Sequence, residues 1–141
     1  MKSKLILMCT IAITSLCLFG CSTVVPAPYQ ISVDASYSGE GFGIAIDSPS
    51  LTVALPSNPS TGFEWELTEI SDQTVLNQTD HQYVHPEDTG MVGVPGKEIW
   101  TFKALSEGNS TVTMEYSQLW VNGTKAAETF NMTVCVSGPA G

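Results

Sequence analysis

No arginine occurs anywhere in the 141 residues, and five lysines stand against fourteen aspartates and glutamates. A chain so short of cations cannot neutralise a phosphate backbone, which excludes nucleic-acid binding as its role. It is equally ill suited to an anionic lipid surface. Cysteine is also scarce: Cys9, Cys17, Cys21 and Cys135 show no C-x-x-C or Cys/His spacing that would hold a metal. There is no G-x-S-x-G and no H-E-x-x-H, and the glycines at 39, 41 and 43 are not followed by a helical pattern that could cradle a phosphate. Catalysis is therefore not expected. The only histidines are His81 and His85. On a strand they would share a face about 13 Å apart, too far to grip one ion. With Asp80, Glu87 and Asp88 nearby a weak metal site is an alternative, but solvated loop residues are the expectation. Neither metal nor cofactor is expected.

Long hydrophobic runs are missing too. The apolar stretch from Leu5 to Leu18 covers about 14 residues, short of the roughly 20 that a membrane crossing needs. Lys2 and Lys4 precede it and Phe19-Gly20-Cys21 follows, so residues 1–20 are expected to be a secretory signal. Leu18 and Gly20 before Cys21 resemble the lipobox of lipoproteins, although Phe19 is bulkier than usual. The resemblance implies a diacylated Cys21 as the mature N-terminus, and an extracytoplasmic protein attached to the envelope through that lipid only. An uncleaved anchor and ordinary secretion are the alternatives. Residues 21–29, small and Pro-rich, would be a flexible tether. Residues 30–141 would form one domain, acting as a monomer. Removing the signal leaves 121 residues with three lysines, a net charge of −11. Cys135, between Val134 and Val136, then reads as a small half-buried strand residue and not as a nucleophile.

What the sequence does contain is period two. One face each is formed by Phe42, Ile44 and Ile46; by Leu51, Val53 and Leu55; and by Phe63, Trp65 and Leu67 opposite Glu64 and Glu66. The same alternation aligns Trp100, Phe102 and Ala104; Val112, Met114 and Tyr116; and Phe130, Met132, Val134 and Val136. Six such runs, separated by Gly, Pro, Asn and Ser clusters, predict an all-β, immunoglobulin-like antiparallel sandwich of about seven or eight strands. Trp65 is a natural core aromatic. The segment from Gln73 to Gly96 has no clear period and predicts a long connection with one short strand. Asn77, Asn109, Asn122 and Asn131 begin Asn-x-Ser/Thr sequons, which such a composition produces by chance.

Three loops are distinctive. Asn58-Pro59-Ser60-Thr61-Gly62-Phe63 is richer than a hairpin turn requires. Gly93-Val94-Pro95-Gly96 precedes a strand. Gln118-Leu119-Trp120 ends one, with Asn122-Gly123 as a tight-turn signal two residues later. Strand parity would turn Trp120 inward, whereas an early strand end would leave it exposed.

These three elements, in this order on an all-β domain, resemble the chagasin-like inhibitors of papain-family cysteine proteases. That family carries N-P-[ST]-T-G-[YF], a G-x-G-G-type loop and an R-P-W-type motif. The first is matched closely. The second has Pro95 in place of a glycine, and the third keeps Trp120 but has Gln118 and Leu119 in place of Arg-Pro. The resemblance spans about Gly41 to Val136. It implies a reversible, non-covalent inhibitor whose partner is a papain-like cysteine protease. In it the 58–63 loop would lie at the catalytic cysteine, with Thr61 and Gly62 presenting mainly backbone. Trp120 would be a flanking anchor, and residues 93–96 would embrace the other side of the cleft. An envelope adhesion or assembly module on the same scaffold, and a metal-binding lipoprotein, are the competing readings.

Overall fold

The computed structural model describes residues 30–88 and 91–141. The expected signal, the tether and Cys21 lie outside the described residues. The six alternating runs all form strands: β2 (Gly41–Ala45), β3 (Leu51–Ser57), β4 (Phe63–Ile70), β6 (Gly96–Ala104), β7 (Gly108–Gln118) and β8 (Glu128–Ser137). Two more complete the sandwich, β1 (Ile31–Asp34) and β5 (Leu76–Val84). The strands form two four-stranded sheets, ordered β1-β3-β6-β5 and β2-β8-β7-β4. Side chains of both inner faces build one core, in which Leu55, Phe102, Met114 and Phe130 are almost wholly buried. Trp65 is buried as its position in the run predicts, and its indole N–H donates to the Pro56 carbonyl at 2.8 Å.

Several expectations need correction. The antiparallel arrangement describes β3–β6, β5–β6, β4–β7 and β7–β8, but β1 runs parallel to β3 and β2 parallel to β8. The chain changes sheet between β1 and β2 and again between β2 and β3, so neither edge strand is joined to its neighbour by a hairpin. The segment from Gln73 to Gly96 does hold one strand in a long connection, but β5 is not short, taking nine of its residues. Its alternation is masked by a register shift between Gln78 and Asp80, and as an edge strand it tolerates Gln78, His81 and Tyr83 on the inner face, opposite Phe102, Trp100 and Glu98. His81 is therefore a strand residue and not a solvated loop residue. Its ring stacks on Trp100 with centroids 3.6 Å apart. His85 follows the strand and is exposed, edge-on to Tyr83. Cys135 is exposed, not half-buried: it alternates with buried Val134 and Val136, and its neighbour across the ladder, Gly43, has no side chain to cover it.

Candidate functional site

Strand register brings the three loops to one end of the sandwich. The last pair of the β3–β6 ladder is Ser57 with Gly96. The first pair of the β4–β7 ladder is Phe63 with Gln118. Residues 58–62 therefore step from one sheet to the other. The segment before Gly96 flanks them on the first sheet, and the segment after Gln118 flanks them on the second.

The central turn is fastened from within. Pro59–Thr61 form a single 3-10 turn, with the Thr61 N–H donating to Asn58 O at 3.0 Å and the Gly62 N–H to Pro59 O at 2.9 Å. The Thr61 hydroxyl also donates to Asn58 O, at 2.7 Å, and the Ser60 hydroxyl to Asn58 Oδ1, at 2.6 Å. Proline suits the first helical position because it lacks the N–H that would go unpaired there. The Asn58 N–H donates to the Tyr116 hydroxyl at 2.9 Å, which ties the turn to β7. Tyr116 in turn stacks on Phe63 and packs against Trp65, with centroids 5.4 Å and 5.1 Å away. Pro59, Ser60 and Thr61 are exposed, while Asn58, Gly62 and Phe63 are half-buried. Gly62 ends the turn at φ 78°, a left-handed conformation that disfavours any side chain.

The segment after β7 leans on that glycine. Trp120 lies beyond the end of β7, so strand parity does not govern it, and its indole is 52% exposed. The six-membered part of its ring lies directly over Gly62, in the space a Cβ there would need. Leu119 and Val121 beside it are exposed. Gln118 closes the loop: its backbone N–H donates to Thr124 O at 2.7 Å, and its side-chain Oε1 accepts from the Thr124 N–H at 2.9 Å. Lys125 Nζ donates to the Gln118 carbonyl at 2.6 Å. In the second loop Gly93 and Pro95 are exposed and Val94 is half-buried. Gly96 presents no surface. It is buried in β6, against the Tyr83 ring and the Val84 carbonyl, where no side chain fits. Met91 and Val92 are strongly exposed just before it, at 74% and 103%. The sequence reading did not include these two, although two apolar residues in a polar, Gly-rich stretch are a visible signal.

No group of three or more potential metal ligands occurs among the described residues. Sequence reasoning also missed Glu98. It is 3% exposed on the inner face of β6, and its Oε1 accepts from the Ser57 hydroxyl at 2.6 Å and the Trp65 N–H at 2.9 Å. Extending the Trp100-Phe102-Ala104 alternation two residues backwards would have found it.

Comparison with known proteins agrees with this geometry. Residues 48–134 match the family model described as Chagasin family peptidase inhibitor. Amoebiasin-2 of Entamoeba histolytica is 30% identical over 86 residues, covering 61% of this chain and 69% of that protein. Chagasin of Trypanosoma cruzi is 25% identical over 103 residues, covering 71% of this chain and 92% of that protein. The crystal structure of a cysteine protease inhibitor from Entamoeba histolytica superposes with a TM-score of 0.64 at 18% identity, covering 79% of this chain and all of that one.

Proposed function

The chain belongs to the Chagasin family of peptidase inhibitors and is a non-enzymatic inhibitor of papain-like cysteine proteases; we propose that it works by filling the active-site cleft with three adjoining loops. The observation that carries this reading is the register, which sets residues 58–62 between the segments around 91–95 and 118–123. Asn58 to Phe63 form the central finger, with Thr61 and the Gly62 backbone foremost. Gly93, Val94 and Pro95, with Met91 and Val92, contact one wall of the cleft. Leu119 and Trp120 contact the other, and Gln118 shapes their loop. Gly96 contributes by letting the second loop end beneath Tyr83 and not by touching the protease.

Physical chemistry favours such a surface. The turn is ordered before binding by Pro59 and by its own hydrogen bonds, so little conformational entropy is lost on docking. A half-exposed tryptophan is a residue type favoured at binding hot spots. The mode is reversible, because no group in these loops is set to form a covalent bond with the protease. Titration of papain and cathepsin-type enzymes with the purified protein should show tight, reversible inhibition. No effect at micromolar protein on several such enzymes would overturn the reading.

We further propose that the inhibitor is lipid-anchored through Cys21 and faces away from the cytoplasm, on the support of Lys2, Lys4, the short apolar run and Leu18-Phe19-Gly20-Cys21. Metabolic labelling with an alkyne fatty acid should tag the wild-type protein and not Cys21→Ala. A tag retained by that variant would refute the anchor.

A further inference from the structure

β3 and β4 belong to different sheets and share no ladder, yet the central loop is strung between them. Apolar packing between two sheets is strong but non-directional, so it leaves the relative height of the two loop roots weakly fixed. Glu98 supplies the missing direction. Ser57 is the last residue of β3, next to Asn58, and Trp65 lies two residues beyond Phe63 on β4. One oxygen of Glu98 accepts from both, at 2.6 Å and 2.9 Å. The Trp65 N–H is available because β4 is an edge strand. The other oxygen lies 2.9 Å from His81 Nε2, and the stacked Trp100 ring fixes that imidazole in turn. A carboxyl group in a sandwich core is costly unless its partners are well placed, and an apolar residue there could serve stability as well.

We propose that Glu98 is a positioning residue of the inhibitory site: its carboxyl clamps both roots of the 58–62 loop, and His81 holds the carboxyl in place from β5. The inference rests on the inhibitory reading of that loop, and it assigns the clamp to a residue that touches no protease.

The test compares Glu98→Leu, Glu98→Gln and, as a control, Val134→Ala, which opens the core away from the loops. Each is assayed for papain inhibition per folded molecule, and for amide exchange at Thr61 and Gly62 in the free protein. Glu98→Leu should raise the inhibition constant roughly tenfold or more and speed exchange at both amides. Glu98→Gln should do less, since its amide oxygen still accepts from Ser57 and Trp65 and the other His81 tautomer can accept from its nitrogen. Val134→Ala should lower the melting temperature without either change. If Glu98→Leu does not fold, Ser57→Ala, which deletes one root bond and keeps the carboxyl, carries the same comparison. Wild-type inhibition and exchange in the Glu98 or Ser57 variants would overturn the clamp, as would an equal effect from Val134→Ala. Failure of the wild-type protein to inhibit papain would instead refute the inhibitory reading, while the exchange rates would still decide whether Glu98 holds the loop.

Discussion

Gly62 and Trp120 act as one unit although they are 58 positions apart in sequence. The indole occupies the space where a side chain at 62 would stand, and the backbone at 62 is left-handed, so two independent reasons demand glycine. Gly62→Ala should therefore destabilise the fold by about 1 kcal/mol or somewhat more from backbone strain and also displace Trp120. Combined with Trp120→Ala, the collision disappears and only the strain remains. The double variant should then be more stable in urea titration than the two single losses predict; simple additivity would show that ring and glycine do not press on each other. Trp120→Ala alone should weaken protease inhibition by roughly tenfold or more with little loss of stability, since half of the ring already faces solvent. The motif residues were legible in the sequence as turn chemistry and as a resemblance. Their contact was not, because it depends on where β7 stops, which alternation alone left open between an inward and an exposed Trp120.

Among the elements, legibility followed the alternation of apolar residues. Strands with one clean apolar face, such as β3, β6 and β8, could be read directly. β1 has only four residues, too few to establish a period, and the register shift in β5 moves its later side chains to the opposite face. The connection between β4 and β5 shows how polar residues specify a turn that apolar patterning cannot. The Asp72 carboxylate accepts from the Thr74 hydroxyl at 2.6 Å and from its N–H at 2.9 Å, while the Ser110 hydroxyl bridges the Asp72 backbone. The two Thr74 bonds, led by the hydroxyl, hold the Asp72 carboxyl below its ordinary value of 3.8. A carboxyl depressed in the folded state binds its proton more readily when unfolded, so its contribution is fully present above that ordinary value. It is lost as pH falls further, through the lowered folded-state value. Asp34, held down by the Ser36 hydroxyl and N–H, acts with the same sign. Melting temperatures of wild type and Asp72→Asn should therefore differ at neutral pH and converge in acid. A gap that persisted once pH had fallen through the lowered folded-state value would count against this origin, both states being protonated there.

At the scale of the molecule, charge and the proposed contact surface are separated. The residues assigned to the three loops, 58–63, 93–96 and 118–120, contain no ionisable side chain, while the whole chain carries a net charge of −9. On the proposed reading, an uncharged wedge on an acidic body would divide the work of binding. The body's field acts before contact and governs how fast a protease arrives, whereas the wedge acts after contact and governs how long it stays. Raising ionic strength from 0.01 M to 0.15 M shortens the screening length from about 30 Å to about 8 Å, which removes the long-range field and leaves apolar contacts intact. For a protease with a basic surface around its cleft, the association rate should fall steeply over this range, by roughly tenfold or more. For an acidic protease it should rise instead, because screening relieves repulsion. The dissociation rate should change little in either case, because the contacts broken on leaving are uncharged. Stopped-flow association and displacement kinetics across that salt range measure both rates separately. A dissociation rate as salt-sensitive as the association rate would mean that charged residues outside the wedge, such as Glu64 or Lys125 beside it, take part in the bound interface.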